Sequence, residues 1–173
     1  SIRRGQATEI DALNGAVVRA AEDLPAAMVA AFAYGDTAMI ERFVEGTEVA
    51  ISVVEDAAGP RSLPVVEIAA DGGWYDYGAR YTAGATEFFV PARLPEATLA
   101  ACAELALTVH RTLGLRDWSR SDVIVDADGT PWFLEVNVAP GMTETSTYPQ
   151  AVAASGTDLG SLTAALVEQA LTR

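Results

Sequence analysis

Apolar positions recur with a helical period over some stretches of the chain and with the alternation of strands over others. Residues 8–33 are alanine-rich and helix-compatible, interrupted at Asp23-Leu24-Pro25, where an acidic residue followed by proline suits a helix start. The pattern predicts two helices here, the second over about residues 24–34, ended by Gly35-Asp36. Residues 95–113 carry apolar side chains at Leu99, Cys102, Ala103, Ala106 and Leu107, the stripe of an amphipathic helix closed by Gly114. Residues 159–171 form a further amphipathic helix. Between these lie strand signatures. Residues 38–44 read as a strand ending at the Glu45-Gly46 turn, and residues 48–54 and 63–69 alternate and are rich in β-branched side chains, predicting an antiparallel ladder. Residues 120–125 and 132–138 are two strands joined by Asp126-Ala127-Asp128-Gly129, whose Asp-Gly pair predicts a hairpin. Residues 71–86 mix Gly72-Gly73, Gly78 and Gly84 with aromatics, the composition of a long surface loop. The sum is an α+β fold, an antiparallel sheet backed by helices.

Composition narrows the partners. At 173 residues and 50% hydrophobic, the chain can bury the core of one ordinary domain, and its length does not ask for two. A net charge of −13 repels phosphate backbones and anionic headgroups, which argues against nucleic acid and membrane surfaces as partners. All 11 basic residues are arginines, so any step that needs a lysine falls to arginine or to another chain. The single Cys102 sits in an apolar helical pattern and reads as a small core residue. With no basic stretch leading into an apolar run and no long uninterrupted apolar segment, a cytoplasmic location is expected. The lone His110 has no Cys, Asp or Ser motif beside it and reads as a surface or partly buried helical residue without a role. Trp74 is a candidate nucleotide neighbour, whereas Trp132 reads as structural.

Chemistry concentrates on the predicted hairpin. Asp122 lies on one strand, while Glu135 and Asn137 lie two apart on the other and therefore share a face. Two carboxylates and an amide make a hard-oxygen cluster suited to Mg²⁺ and substrate phosphates, but three polar residues on a hairpin equally describe a solvated polar face. Arg120, two before Asp122, falls on the same face and suits the charge of a phosphoryl group in transfer.

The run Arg120-Ser121-Asp122, then Phe133-Leu134-Glu135-Val136-Asn137-Val138-Ala139-Pro140-Gly141-Met142-Thr143, then Ser146 and Pro149, resembles the C-terminal signature of D-alanine–D-alanine ligases of the ATP-grasp superfamily. Upstream, Glu41-Arg42-Phe43-Val44-Glu45-Gly46-Thr47-Glu48 resembles that family's adenine- and ribose-reading hinge strand. Tyr75-Asp76-Tyr77-Gly78-Ala79-Arg80-Tyr81 resembles its mobile phosphate-covering loop. The resemblance runs in uninterrupted order from about Asp23 to the end, as an ATP-grasp C-terminal domain behind a helical leader over residues 1–22.

The resemblance implies roles position by position. Glu41 would accept from the adenine amino group, the backbone at Phe43 and Val44 would complete adenine recognition, Glu48 would bind the ribose hydroxyls, and Leu134 would pack on the base. Asp122, Glu135 and Asn137 would carry two Mg²⁺ ions, or Mn²⁺ in their place, on the ATP phosphates. Arg80 stands where the family has a phosphate-contacting lysine, a change that keeps charge but alters reach. Arg120 and the Gly141 backbone N–H would stabilise the tetrahedral oxyanion. Tyr81 and Ser146 would line the acceptor site, Ser146 holding a carboxylate, although Thr147 replaces the apolar residue usual beside it. The implied activity is ATP-driven joining of two D-alanines into a dipeptide for cell-wall precursors.

The resemblance does not extend to the family's amino-terminal domain or its serine- and glycine-rich phosphate loop. Substrate positioning is worth roughly 7–11 kcal/mol of a barrier, so the isolated chain is expected to be a partial, inactive enzyme unless a complementing domain supplies the rest. A catalytically silent nucleotide-binding or structural domain is the alternative, and an apolar face left uncovered would favour a homo-oligomer. Residues 4–18, Arg4 to Val18, resemble instead a helix of the ketopantoate reductase C-terminal domain, which gives Glu9 a structural role in that leader.

Overall fold

The computed structural model describes residues 2–3, 17–33, 35–56, 58–70 and 86–172. In chain order these carry β1 (Ile2–Arg3), a 3₁₀ turn (Ala21–Asp23), α1 (Leu24–Phe32), β2 (Met39–Ile40), β3 (Thr47–Asp56) and β4 (Gly59–Ser62). There follow β5 (Val66–Ala70), β6 (Thr86–Phe89), α2 (Glu96–Thr112), β7 (Trp118–Val125), β8 (Pro131–Asn137), α3 (Thr147–Ala154) and α4 (Leu159–Leu171). They form two compact units, one of Ser1–Val44 with Ala70–Thr86, the other of Glu45–Ala69 with Glu87–Arg173.

In the first unit α1 begins with Pro25 in its first turn, where a missing N–H costs nothing, as the sequence predicts. The helix predicted ahead of it falls mainly outside the described residues, and residues 17–20, which are described, are not helical. The strand predicted over residues 38–44 shortens to Met39–Ile40 and pairs with Ile2–Arg3, not with the main ladder. Residues 41–46 carry no ladder of their own among the described residues, because the chain must turn at Gly46 to enter β3. A Cβ at Gly46 would land on the carbonyl of Val125, so only glycine allows this approach.

In the second unit β3 lies at the centre of a sheet ordered β6-β5-β3-β7-β8, with β4 folded back on β3. Its β-branched residues suit that place, and Val49 to Val54 are buried on both faces. One face packs under α2, whose Cys102 and Ala106 meet Val49, Ile51, Val53, Val123 and Val125. On α2 Thr98, Cys102, Ala106 and His110 recur every four residues as the buried stripe, and Gly114 (φ +61) ends the helix. Trp118 alternates with the residues facing α2 and so lies on the opposite face. There its ring meets Tyr148 of α3 edge-on, with centroids 5.9 Å apart. Among the described residues no helix is long and apolar enough to cross a membrane.

Three elements escape sequence periodicity. Gly59-Pro60-Arg61-Ser62 has the composition of a turn, yet as β4 it pairs from Val53↔Ser62 to Asp56↔Gly59. The first turn of α3 holds Thr147, Tyr148 and Pro149, poor helix formers tolerated because that turn needs no intrahelical N–H partners. The third is β6, which begins at Thr86 where the predicted loop ends; the rest of that loop lies outside the described residues. One reading of a single residue is corrected. His110 is 1% exposed, its Nδ1 2.8 Å from Ser119 Oγ and its Nε2 3.5 Å from Glu55 Oε2. It is therefore a core link from α2 to β7 and β3, not a surface side chain.

Candidate functional site

The β7–β8 hairpin is fixed by its turn. Asp126 Oδ1 accepts from the N–H groups of Asp128 (3.0 Å) and Thr130 (2.9 Å), Oδ2 accepts from Trp132 Nε1 (2.8 Å), and Gly129 takes a φ of +80°. The resulting register sets Asp122 opposite Glu135 and Arg120 opposite Asn137, then jumps so that Val123 faces Phe133. Leu134 is the extra residue, a β-bulge in the middle of the strand. Cross-strand partners share a face and so do residues two apart, which brings Arg120, Asp122, Glu135 and Asn137 together on one side of the sheet. The neighbouring strand adds Glu48, opposite Ile124 and two residues from Ala50, the partner of Asp122.

Electrostatics on this face are dominated by one pair. Arg120 donates through Nε to Asp122 Oδ1 and through Nη2 to Oδ2, both at 2.8 Å, a bidentate fork between side chains only 14% and 11% exposed. Asn137 Oδ1 accepts the N–H of Ala139 (2.8 Å), and Trp118 Nε1 donates to the carbonyl of Val138 (3.1 Å), tying the chain after β8 back to β7. Glu135 is exposed, and beside it Leu134 and Phe133 are 36% and 42% exposed. Among the described residues no group of three or more His, Cys, Asp or Glu could hold a metal ion alone. Two carboxylates and an amide nevertheless fit a hard cation whose other positions are filled by ligand oxygens and water.

Beyond β8 the chain doubles back to the start of α3. Ser146 Oγ lies 2.8 Å from Thr143 Oγ1, and a Cβ on Gly141 would stand 2.7 Å from Ser146 Oγ, so Gly141, Thr143 and Ser146 are neighbours. Ser146 occupies the N-cap position in extended conformation without a side-chain cap bond, next to the N–H groups of the first helical turn. Periodicity does not mark Thr143 or this helix start. The Ser-Thr-Tyr-Pro run, with proline in a first turn, is the signal that does.

In the first unit Glu41 and Phe43 line a pocket of about 260 Å³ with Val18, Arg19, Ala20, Ala21, Leu24 and Ile40. Pockets that enclose a drug-sized ligand run to roughly 300–1,000 Å³, so this one falls just below that range. The Arg19 guanidinium carbon stands 5.7 Å from the Phe43 ring centroid, a cation–π contact that sequence reasoning missed because nothing local links the two residues. Val44, half-buried, lies just beyond. Arg80 and Tyr81, with Glu9 and Trp74, lie outside the described residues.

Comparison with known proteins gives the family. The family described as D-ala D-ala ligase C-terminus matches residues 14–168. The D-alanine--D-alanine ligase of Pelotomaculum thermopropionicum is 40% identical over 164 residues, covering 95% of this chain and 51% of the relative. The crystal structure of D-alanine--D-alanine ligase from Bacillus anthracis superposes with a TM-score of 0.75 at 25% identity, over 99% of this chain and 54% of that one. The same enzyme complexed with ATP gives 0.73 at 26% identity, over 91% and 50%. The chain thus spans about half the length of the relatives it matches. With the signature residues in order on β3, β7 and β8 and the family match across most of the sequence, the chain belongs to the D-alanine–D-alanine ligase family, as a C-terminal part of the ATP-grasp fold.

Proposed function

We propose that this chain is the nucleotide- and cation-binding part of a ligase that uses ATP to join two D-alanines into the dipeptide of peptidoglycan precursors, in the cytoplasm where ATP is supplied. The observation that carries the reading is the single sheet face shared by Glu48, Arg120, Asp122, Glu135 and Asn137. A Bacillus anthracis enzyme of this fold is known in complex with ATP, which supports nucleotide as the ligand.

In this reading Glu41 accepts the adenine amino protons, with the Phe43 and Val44 backbone beside it, Glu48 takes the ribose hydroxyls and Leu134 covers the base. Asp122, Glu135 and Asn137 would hold two Mg²⁺ ions, which when bound neutralise the phosphate chain. The carboxylate oxygen of the first D-alanine attacks the γ-phosphorus, the bond to the β-phosphate oxygen breaks, and ADP leaves. The neutral amine of the second D-alanine then attacks the acyl carbon, the resulting oxyanion is held by Arg120 and the Gly141 N–H, and phosphate departs carrying the proton that the nitrogen gives up. Ser146 and the start of α3 receive the acceptor carboxylate. Arg80 and Tyr81 complete the phosphate and acceptor contacts.

Calorimetric titration of Mg·ATP tests this, with a Glu135→Gln, Asn137→Ala double variant as control. Binding that disappears in the control is the expected result and justifies assaying D-alanine ligation with a complementing domain. Absence of binding at millimolar ATP would make the chain a catalytically silent domain of this family.

A further inference from the structure

The two side chains on this face with most to offer an incoming ligand already hold each other. Arg120 engages both oxygens of Asp122 at 2.8 Å, and a fork of this kind occupies the chelating side of the carboxylate and sets a positive charge against it. Across the hairpin, Asn137 Oδ1 is engaged by the Ala139 N–H. Two of the three oxygen side chains of the proposed cation site are therefore committed within the protein before any ligand arrives.

Resting on the function proposed above, we propose that Arg120 is a latch on the cation site. It holds Asp122 until the phosphate chain of a nucleotide draws the guanidinium away, so that cation and nucleotide enter cooperatively. Both side chains are nearly buried, and drawing Arg120 away with nothing in its place would leave the Asp122 carboxylate a poorly solvated charge. A cation entering alone would sit beside the Arg120 charge and compete with it for Asp122. A nucleotide entering alone would draw Arg120 off Asp122 and leave that carboxylate, with Glu135 opposite it, facing the phosphates without a cation. When both enter, Arg120 exchanges a carboxylate for a phosphate and Asp122 exchanges a guanidinium for a metal ion, so every charge keeps an opposite partner. Such coupling is reciprocal: each ligand tightens the other by the same factor.

The test measures Mn²⁺ binding to the 173-residue chain by the loss of its free paramagnetic resonance signal, with and without a non-hydrolysable ATP analogue, each reading corrected by the same analogue and Mn²⁺ without protein because the phosphates chelate Mn²⁺ by themselves. Arg120→Lys, Arg120→Gln and Asp122→Asn are compared, and thermal unfolding confirms that each is folded. The unaltered chain should bind Mn²⁺ at least about tenfold more tightly when the analogue is present, the worth of one charged hydrogen bond released. Arg120→Lys keeps the positive charge but loses the fork, so it should bind Mn²⁺ alone about tenfold more tightly than the unaltered chain, with the coupling to nucleotide nearly gone. Asp122→Asn should bind it poorly in every condition. Arg120→Gln gains affinity from lost repulsion as well, which is why the lysine variant decides between a latch and plain repulsion. The latch is overturned if Arg120→Lys binds Mn²⁺ no more tightly than the unaltered chain, or if analogue and Mn²⁺ bind the unaltered chain independently. The second comparison needs no variant and holds even if a substitution unfolds the chain. If the analogue does not bind at all, the proposed function itself fails, and the latch with it.

Discussion

Replacing Glu67 by glutamine should destabilise the second unit at neutral pH and leave it nearly unaffected in acid. Glu67, on β5, is 6% exposed, and its carboxylate accepts from the Arg93 backbone N–H (2.9 Å), from Nε (3.2 Å to each oxygen) and from Nη2 (2.6 Å). These bonds favour the charged form, led by the Arg93 side chain, and hold the Glu67 pKa below its ordinary value despite burial. The amide of the variant keeps one acceptor for the backbone N–H but turns its NH₂ toward the guanidinium. Because the Arg93 side chain is 59% exposed, Coulomb attraction is screened, and the loss comes mainly from hydrogen bonds to a buried carboxylate. That loss is about 1–2 kcal/mol. The sign with pH follows from the lowered pKa. The stabilisation is fully present above the unfolded glutamate value, about 4.3, and disappears as pH falls through the lower folded value, where the protonated side chain resembles the amide. Urea unfolding of both proteins from pH 7 down into that range, at equal denaturant slopes, reads the gap directly. A gap under about 0.5 kcal/mol at pH 7, or one that persists undiminished in acid, would mean that the Glu67 carboxylate does not stabilise this unit through Arg93.

Two other substitutions probe packing around the site. Gly46→Ala would set a Cβ 2.7 Å from the Val125 carbonyl carbon and 2.9 Å from Ile124 Cγ2. Backbone cannot yield cheaply, so the variant should lose at least about 3 kcal/mol in denaturant unfolding and shift the start of β3, where Glu48 sits. Tyr148 is fully buried, its hydroxyl has no hydrogen-bond partner among the described residues, and burial pushes its pKa up to about 12. Tyr148→Phe should therefore stabilise the chain by about 1 kcal/mol in the same assay, and a loss of that size would show the hydroxyl to be bonded in solution.

Much of the site is legible in the sequence because its chemistry is local. The Asp-Gly turn marks the hairpin, and period-two alternation keeps Glu135 with Asn137 and Arg120 with Asp122, but the register that starts at the turn would set Glu135 opposite Ser121, and only the bulge at Leu134 brings all four to one face. The helix over Leu159–Leu171, the closure of α2 by Gly114 and the start of α1 at Pro25 are equally readable, since caps and apolar stripes act over a few residues. Tertiary structure decides the rest. The bulge at Leu134 depends on β8 matching β7 residue by residue, and β4 and β6 exist only because neighbouring strands offer them a ladder. The Arg120–Asp122 fork is invisible in a sequence where both residues read only as chemistry facing a ligand. His110 becomes a core residue through Ser119 and Glu55, nine and 55 positions away. Local patterns carry information over a turn or a pair of strands, whereas partners distant in the chain are chosen by packing and by the need to pair every buried charge.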